Sequence, residues 1–141
     1  PDKNWKLCYG TSPVEVDLDG LLIKGVFGEL IQDAKTMKQN DDALNIAIDV
    51  KPYERDGERW ISIRFTDNGP GVPSENKEKI FEPMFSHRPG LKTSTGLGLY
   101  QVRQTILAHS GEISEQGREG EGVCFLIDIP VTYKKKESTD V

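Results

Sequence analysis

The chain has 141 residues, with 35% hydrophobic and 29% charged side chains, which is enough for one soluble, globular domain with a core of its own. Its formal net charge of −5 argues against broad nucleic-acid binding, which needs a basic face. No run is long and apolar enough to cross a bilayer, so no membrane contact is expected of this stretch. The first residues are polar and lack Met, which predicts no secretory signal and reads as a fragment of a longer protein. A cytoplasmic location is expected, including the case of a cytosolic part of a membrane-bound protein. Cys8 and Cys124, with His87 and His109, stand in no metal-ligand spacing. A structural zinc site is therefore not expected, and two reduced thiols are favoured over a disulfide.

In chain order, Val14 to Leu18 alternates as a short edge strand. Leu21 to about Gln39 reads as a helix, with Asp19 as its N-cap. Leu22, Val26, Leu30, Ala34 and Met37 form its apolar stripe, with Lys24, Gln32, Lys35 and Lys38 opposite. Ala43 to Val50 alternates as a strand, and Arg55-Asp56-Gly57 signals a hairpin turn. Ile61, Ile63 and Phe65 mark the returning strand. Ser74 to Ile80 predicts a short helix and Glu82 to Thr95 a loop. Gly96 to about His109 predicts a helix with Leu99, Val102 and Ile106 on one side, ended by Ser110-Gly111. Ile113 and Val123 to Val131 give two more strands around a turn with Gly117, Gly120 and Gly122.

Strands that come largely as hairpins give a mixed or antiparallel sheet. The expected class is α+β: a two-layer sandwich with about three helices on one face of a mixed sheet. One domain over residues 1–133 is followed by a polar tail over 134–141. The last three residues, Thr139-Asp140-Val141, look like a ligand for a domain that captures terminal carboxylates, a weak signal in so short a string.

Three segments carry chemistry. Asp67-Asn68-Gly69-Pro70-Gly71-Val72 follows a strand-like run, so a carboxylate stands at a strand's end beside two glycines that let backbone approach a ligand closely. A carboxylate only accepts, which suits an amino group on a base. The string fits neither a Rossmann fingerprint nor a Walker A loop. Gly96-Leu97-Gly98-Leu99 opens a helix, where free N–H groups and the dipole attract phosphate. Two glycines in one first turn cost roughly 1 kcal/mol each, which calls for a reason such as close phosphate approach. Thr95 stands as its N-cap or a phosphate contact. The third segment is the first long helix. There Asp33 falls inside the apolar stripe with Glu29 one turn earlier, and a carboxylate in such a place needs a partner such as nucleotide-bound Mg²⁺. Asp-Asn-Gly is also a common turn, and Asp33 taken alone reads rather as a capping or salt-bridged acid in a frayed helix, so it is the pair at i and i+4 that points to function. Together the segments point to a purine nucleotide site.

These residues resemble the ATP-binding catalytic domain of sensor histidine kinases, within the Bergerat-fold (GHKL) family that includes gyrase, Hsp90 and MutL. The similarity runs from about Asp17 to Pro130. Asp67 to Val72 looks like the first glycine box, Phe81-Glu82-Pro83-Met84-Phe85 like the F box, and Thr95 to Leu99 like the second glycine box. Gly120 to Phe125 resembles the family's closing strand. The resemblance implies that Asp67 accepts from the adenine amino group and that Gly69 and Gly71 give the base room. It implies that Thr95, Gly96, Leu97, Gly98 and Leu99 serve the phosphates, with Arg88 at the terminal one and the intervening loop acting as a lid.

Where kinases usually carry Asn-x-x-x-Asn, this chain has Glu29 and Asp33. Asp33 would ligate Mg²⁺, with Glu29 as a second metal ligand or as a base that activates water, the gyrase and Hsp90 pattern. Thr36 stands where the family has a basic residue. The implied activity is a protein histidine kinase. ATP would donate its γ-phosphoryl to a histidine on a separate dimerisation domain, and a response regulator would follow. Neither His87 nor His109 has the surroundings of the acceptor. The alternatives are an ATPase with Glu29 as general base, and a non-catalytic nucleotide-binding module.

Overall fold

The computed structural model describes residues 4–9, 16–17, 20–37, 43–85 and 97–133. Strand β1 (Asn4–Tyr9) and β2 (Val16–Asp17) precede helix α1 (Gly20–Met37). Strands β3 (Asn45–Arg55) and β4 (Glu58–Asp67) follow as a hairpin, then helix α2 (Gly98–Ala108) and strands β5 (Glu112–Glu115), β6 (Cys124–Pro130) and β7 (Thr132–Tyr133). The expected α+β two-layer sandwich with a mixed sheet is what forms. One sheet has the order β1-β3-β4-β6-β5, and a small second sheet pairs β2 with β7. β1 runs parallel to β3, and every other neighbour in the large sheet is antiparallel.

The β3–β4 hairpin closes on Asp56 and Gly57, both with positive φ (51° and 78°), the geometry that matches a two-residue turn to the strands' twist. Arg55 faces Glu58 across it. Period-two alternation puts Ile46, Ile48, Ile61, Ile63, Phe65, Ile113, Phe125, Ile127 and Ile129 on the face under the helices, all buried. Leu22, Val26, Leu30 and Ala34 of α1 and Leu99, Val102 and Ile106 of α2 meet them. Met37, at the end of the expected stripe, is only half-buried.

The opposite face stays polar, apart from one aromatic cluster. There Arg55 lies 4.6 Å over the Trp60 ring and pairs with Glu112 at 3.0 Å, while the Tyr53 hydroxyl donates to Asp128 at 2.8 Å.

Several local expectations change. Ser74 to Ile80 forms no α-helix but two 3-10 turns, Ser74–Asn76 and Lys79–Phe81, because Pro73 fixes the entry and only Ile80 and Phe81 find a core to pack on. α2 ends in a Schellman motif in which Ser110 (φ 63°), not Gly111, takes the left-handed position. Gly111 N–H bonds Ile106 O at 2.9 Å, and a Cβ there would lie 2.5 Å from Asp128 O, so glycine is required for a different reason. β1 was not anticipated, although Trp5, Leu7 and Tyr9 alternate with polar residues. The expected N-cap Asp19 and the tail over 134–141, with Thr139-Asp140-Val141, lie outside the described residues.

Candidate functional site

Asp67 is the last residue of the central strand β4, and its parity puts it on the core face beyond Phe65. Its Oδ1 accepts from Gly69 N–H at 2.9 Å and from Val123 N–H at 3.1 Å. Backbone donors of this kind hold the carboxylate in one orientation. Asn68 turns the other way. Its Oδ1 accepts from Asn45 N–H and its Nδ2 donates to Ala43 O, both at 2.9 Å, so it pins the start of β3 rather than facing a ligand.

The loop after Asp67 is locked to the β5–β6 turn. Gly120 N–H donates to Pro70 O at 2.6 Å and Asp67 N–H to Val123 O at 3.2 Å. Gly71 (φ 76°) and Gly122 (φ 98°) make this approach feasible. A Cβ on Gly71 would lie 2.8 Å from Arg118 O, and one on Gly122 only 1.8 Å from Asp67 O. A buried ion pair braces the same turn from below. Glu115 takes Lys77 Nζ on Oε1, and its Oε2 accepts from Gly117 and Cys124 N–H at 2.8 Å each. Lys77 also donates to Gly117 O at 2.7 Å.

Helix α1 carries the two acids Glu29 and Asp33. Burial, then the charges of Asp67 and Glu29, push the Asp33 carboxyl from its ordinary 3.8 up to about 7. The Asp33 carboxyl thus feels both other acids. Glu29 reaches across to α2, where a Cβ on Gly98 would lie 2.6 Å from Glu29 Oε2. Leu97 occupies the N-cap position of α2 with no side-chain cap, two residues after the Thr95 expected there. Leu99 is buried in the core, which leaves only its backbone for a ligand.

Of the expected site residues, Asp33 feels the charges of both Asp67 and Glu29, and Glu29 meets Gly98, while Gly69 and Gly71 follow Asp67 in its loop and Leu97 and Leu99 flank Gly98. Arg88, Thr95 and Gly96 lie outside the described residues, as does His87. Phe81 of the expected F box is buried edge-on to Phe125 at 6.2 Å, and Phe85 packs against the core. His109 Nδ1 lies 2.8 Å from Thr105 O, a contact at the helix end and not part of this site.

Sequence reasoning missed Glu115 and Lys77. The available signal was parity, since Glu115 shares the core face with Ile113, as Asp33 shares the stripe of α1. No group of three or more His, Cys, Asp or Glu among the described residues is placed to hold a metal alone. Asp33 and Glu29 nevertheless have the hard oxygen chemistry that Mg²⁺ takes when phosphates complete its shell.

Residues 18–133 match the family model described as histidine kinase-, DNA gyrase B- and HSP90-like ATPase. The chain belongs to that family. Its relatives lie on the histidine kinase side of it. The adaptive-response sensory kinase SasA of Crocosphaera subtropica is 33% identical over 114 residues, covering 80% of this chain and 28% of that protein. The alginate biosynthesis sensor protein KinB of Pseudomonas aeruginosa is 31% identical, covering 89% of this chain and 20% of KinB.

Among solved structures, the catalytic domain of histidine kinase ThkA superposes with a TM-score of 0.69 at 30% identity, covering 89% of this chain and 80% of that one. The chain spans less than a third of the length of these two sensor kinases.

Proposed function

We propose that this domain binds Mg-ATP between Asp67 and the start of α2 and donates the γ-phosphoryl to a histidine on a dimerisation domain of the same protein. The observation that carries the reading is the orientation of Asp67. A buried carboxylate held by two backbone N–H groups at a strand end is suited to an adenine amino group, and a glycine-started helix is suited to phosphates. Gly69 and Gly71 would border the base. Thr95, Gly96, Leu97, Gly98 and Leu99 would offer backbone or hydroxyl to the phosphates, with Arg88 on the terminal one. Asp33, with Glu29, would hold Mg²⁺, which would supply positive charge against the phosphates. Catalysis would then be mostly positioning. A response regulator would receive the phosphoryl, and the domain would work in the cytoplasm. No described helix is long and apolar enough to cross a membrane.

Asp67→Asn tests the binding half. Asn keeps an oxygen for Gly69 and Val123 N–H, so circular dichroism and melting should change little while calorimetry shows ATP binding lost. Unchanged affinity would refute the adenine role. For the transfer half, the full-length protein with γ-labelled ATP should form a base-stable, acid-labile phosphohistidine. The acids at both Glu29 and Asp33 favour a second reading, hydrolysis with Glu29 as general base. Phosphate release by this domain alone, without phosphohistidine, would establish it.

A further inference from the structure

The β3–β4 ladder ends at the pair Ile46 and Asp67, and the chain then turns off into the glycine-bearing loop. The edge this turn leaves on β3 is taken up by one side chain. Asn68 Oδ1 accepts from Asn45 N–H and Asn68 Nδ2 donates to Ala43 O, both at 2.9 Å. A single amide thus holds the carbonyl before Leu44 and the N–H after it, two groups that a paired strand would otherwise take. The β5–β6 turn approaches the same residue, since a Cβ on Gly122 would lie 3.2 Å from Asn68 Cα. Residue 68 is thereby held by its side chain to β3 and by its backbone against the turn. The peptide that follows Asn68 carries Gly69 N–H, which donates to Asp67 Oδ1 at 2.9 Å. The direction of that N–H, and with it the setting of the Asp67 carboxylate, depends on how residue 68 is held.

We infer that Asn68 is a positioning residue for base recognition. It acts through Asp67. Its amide stands in for the strand pairing that stops at Asp67, so the main chain can turn while the peptide that orients the carboxylate stays fixed. The inference rests on the reading of Asp67 as acceptor for an adenine amino group, and goes beyond it by assigning the residue that aims the acceptor. Hydrogen bonds weaken steeply with misalignment, so a carboxylate that rocks loses the amino group before the rest of the ligand is affected. Asn68 therefore controls preference for an amino-bearing purine, not affinity for phosphates.

The test is calorimetry on this chain with Mg-ATP and with the Mg complex of purine riboside triphosphate, which lacks only the amino group of adenine. The two carry the same phosphates and metal. A change common to both therefore reads the fold or the phosphate end, and a change in their ratio reads the amino group. Wild type should prefer ATP. Asn68→Ala should weaken ATP about tenfold, the scale of one hydrogen bond to a charged group, and leave the analogue unchanged. Equal loss for both ligands would mean that Asn68 only holds the loop, and no loss for either that its bonds are dispensable; each result overturns the inference. Should the Ala variant not fold, Asn68→Asp gives the same comparison, because it keeps an oxygen for Asn45 N–H and has no donor for Ala43 O. A reduced preference for ATP is then expected, and an undiminished one overturns the inference. A wild type that binds both triphosphates equally, or neither, removes the adenine role of Asp67 itself and this inference with it.

Discussion

Among the described residues, Asp33 is the one whose carboxyl departs furthest from its ordinary state. A folded-state value of about 7 against 3.8 means the native protein binds this proton more tightly than the unfolded chain. Its effect is absent below about pH 4, grows as pH rises toward 7, and destabilises the fold in full above that. Three units would cost about 4 kcal/mol, but the residue is partly solvent-reached, so about 2 kcal/mol is the expected size. Asp33→Asn should therefore leave stability at pH 4 unchanged and raise it at pH 8 by that amount, read as urea midpoints at both pH values. A variant whose gain is equal at the two pH values would show that the carboxyl charge is not the cause. Position 33 was legible in the sequence, because an acid inside an apolar stripe needs a partner. Its proximity to Asp67, which lies 34 positions away, was not, because only packing of α1 on β4 brings them together.

At the scale of elements, the loop after Asp67 owes its shape to a turn distant in sequence. Lys77, between the two 3-10 turns, neutralises Glu115 at the end of β5, and Glu115 holds Gly117 and Cys124 N–H. The Glu115 side chain is fully buried and Lys77 is 27% exposed, so this is an interior pair. Removing one partner of such a pair strands the other charge. Lys77→Met should cost about 3 kcal/mol in chemical denaturation, near the lower end for buried pairs because two backbone donors remain. The loss should come with weaker nucleotide binding, since the turn backs the Asp67 loop. A cost under about 0.5 kcal/mol, the range of an ordinary surface substitution, would show the pair to be dispensable. The helix and hairpin positions were readable from period and turn residues. The 3-10 turns were not, because a short segment with few apolar anchors takes its form from what it packs against.

For the whole molecule, stability rests on the layer between the helices and the sheet. Leu30 is fully buried at the middle of α1, in the same core cluster as the buried strand residues. Leu30→Ala should cost about 3 kcal/mol, within the range for large-to-small core changes, lowering the melting temperature by several degrees. A loss under 1 kcal/mol would mean the layers can collapse around the gap. Topology also settles the thiols. The β1-β3-β4-β6 ladder aligns Lys6, Ala47, Thr66 and Cys124, which puts the strand of Cys8 three spacings, roughly 14 Å, from that of Cys124. A disulfide needs Cα atoms within about 7 Å, and Cys124 is a free thiol.

Alternation, helical period and glycine-bearing strings are local, so the chain by itself determined its layers, its main elements and the identities of Asp67, Asp33 and Glu29 as chemically pointed residues. Which of these face one another was decided only by folding. The parallel addition of β1, the Glu115–Lys77 brace, the seating of Gly122 on Asp67 and the reach of Glu29 to Gly98 all join residues remote in sequence. Contacts of that kind depend on sheet order and helix placement, which no local pattern encodes.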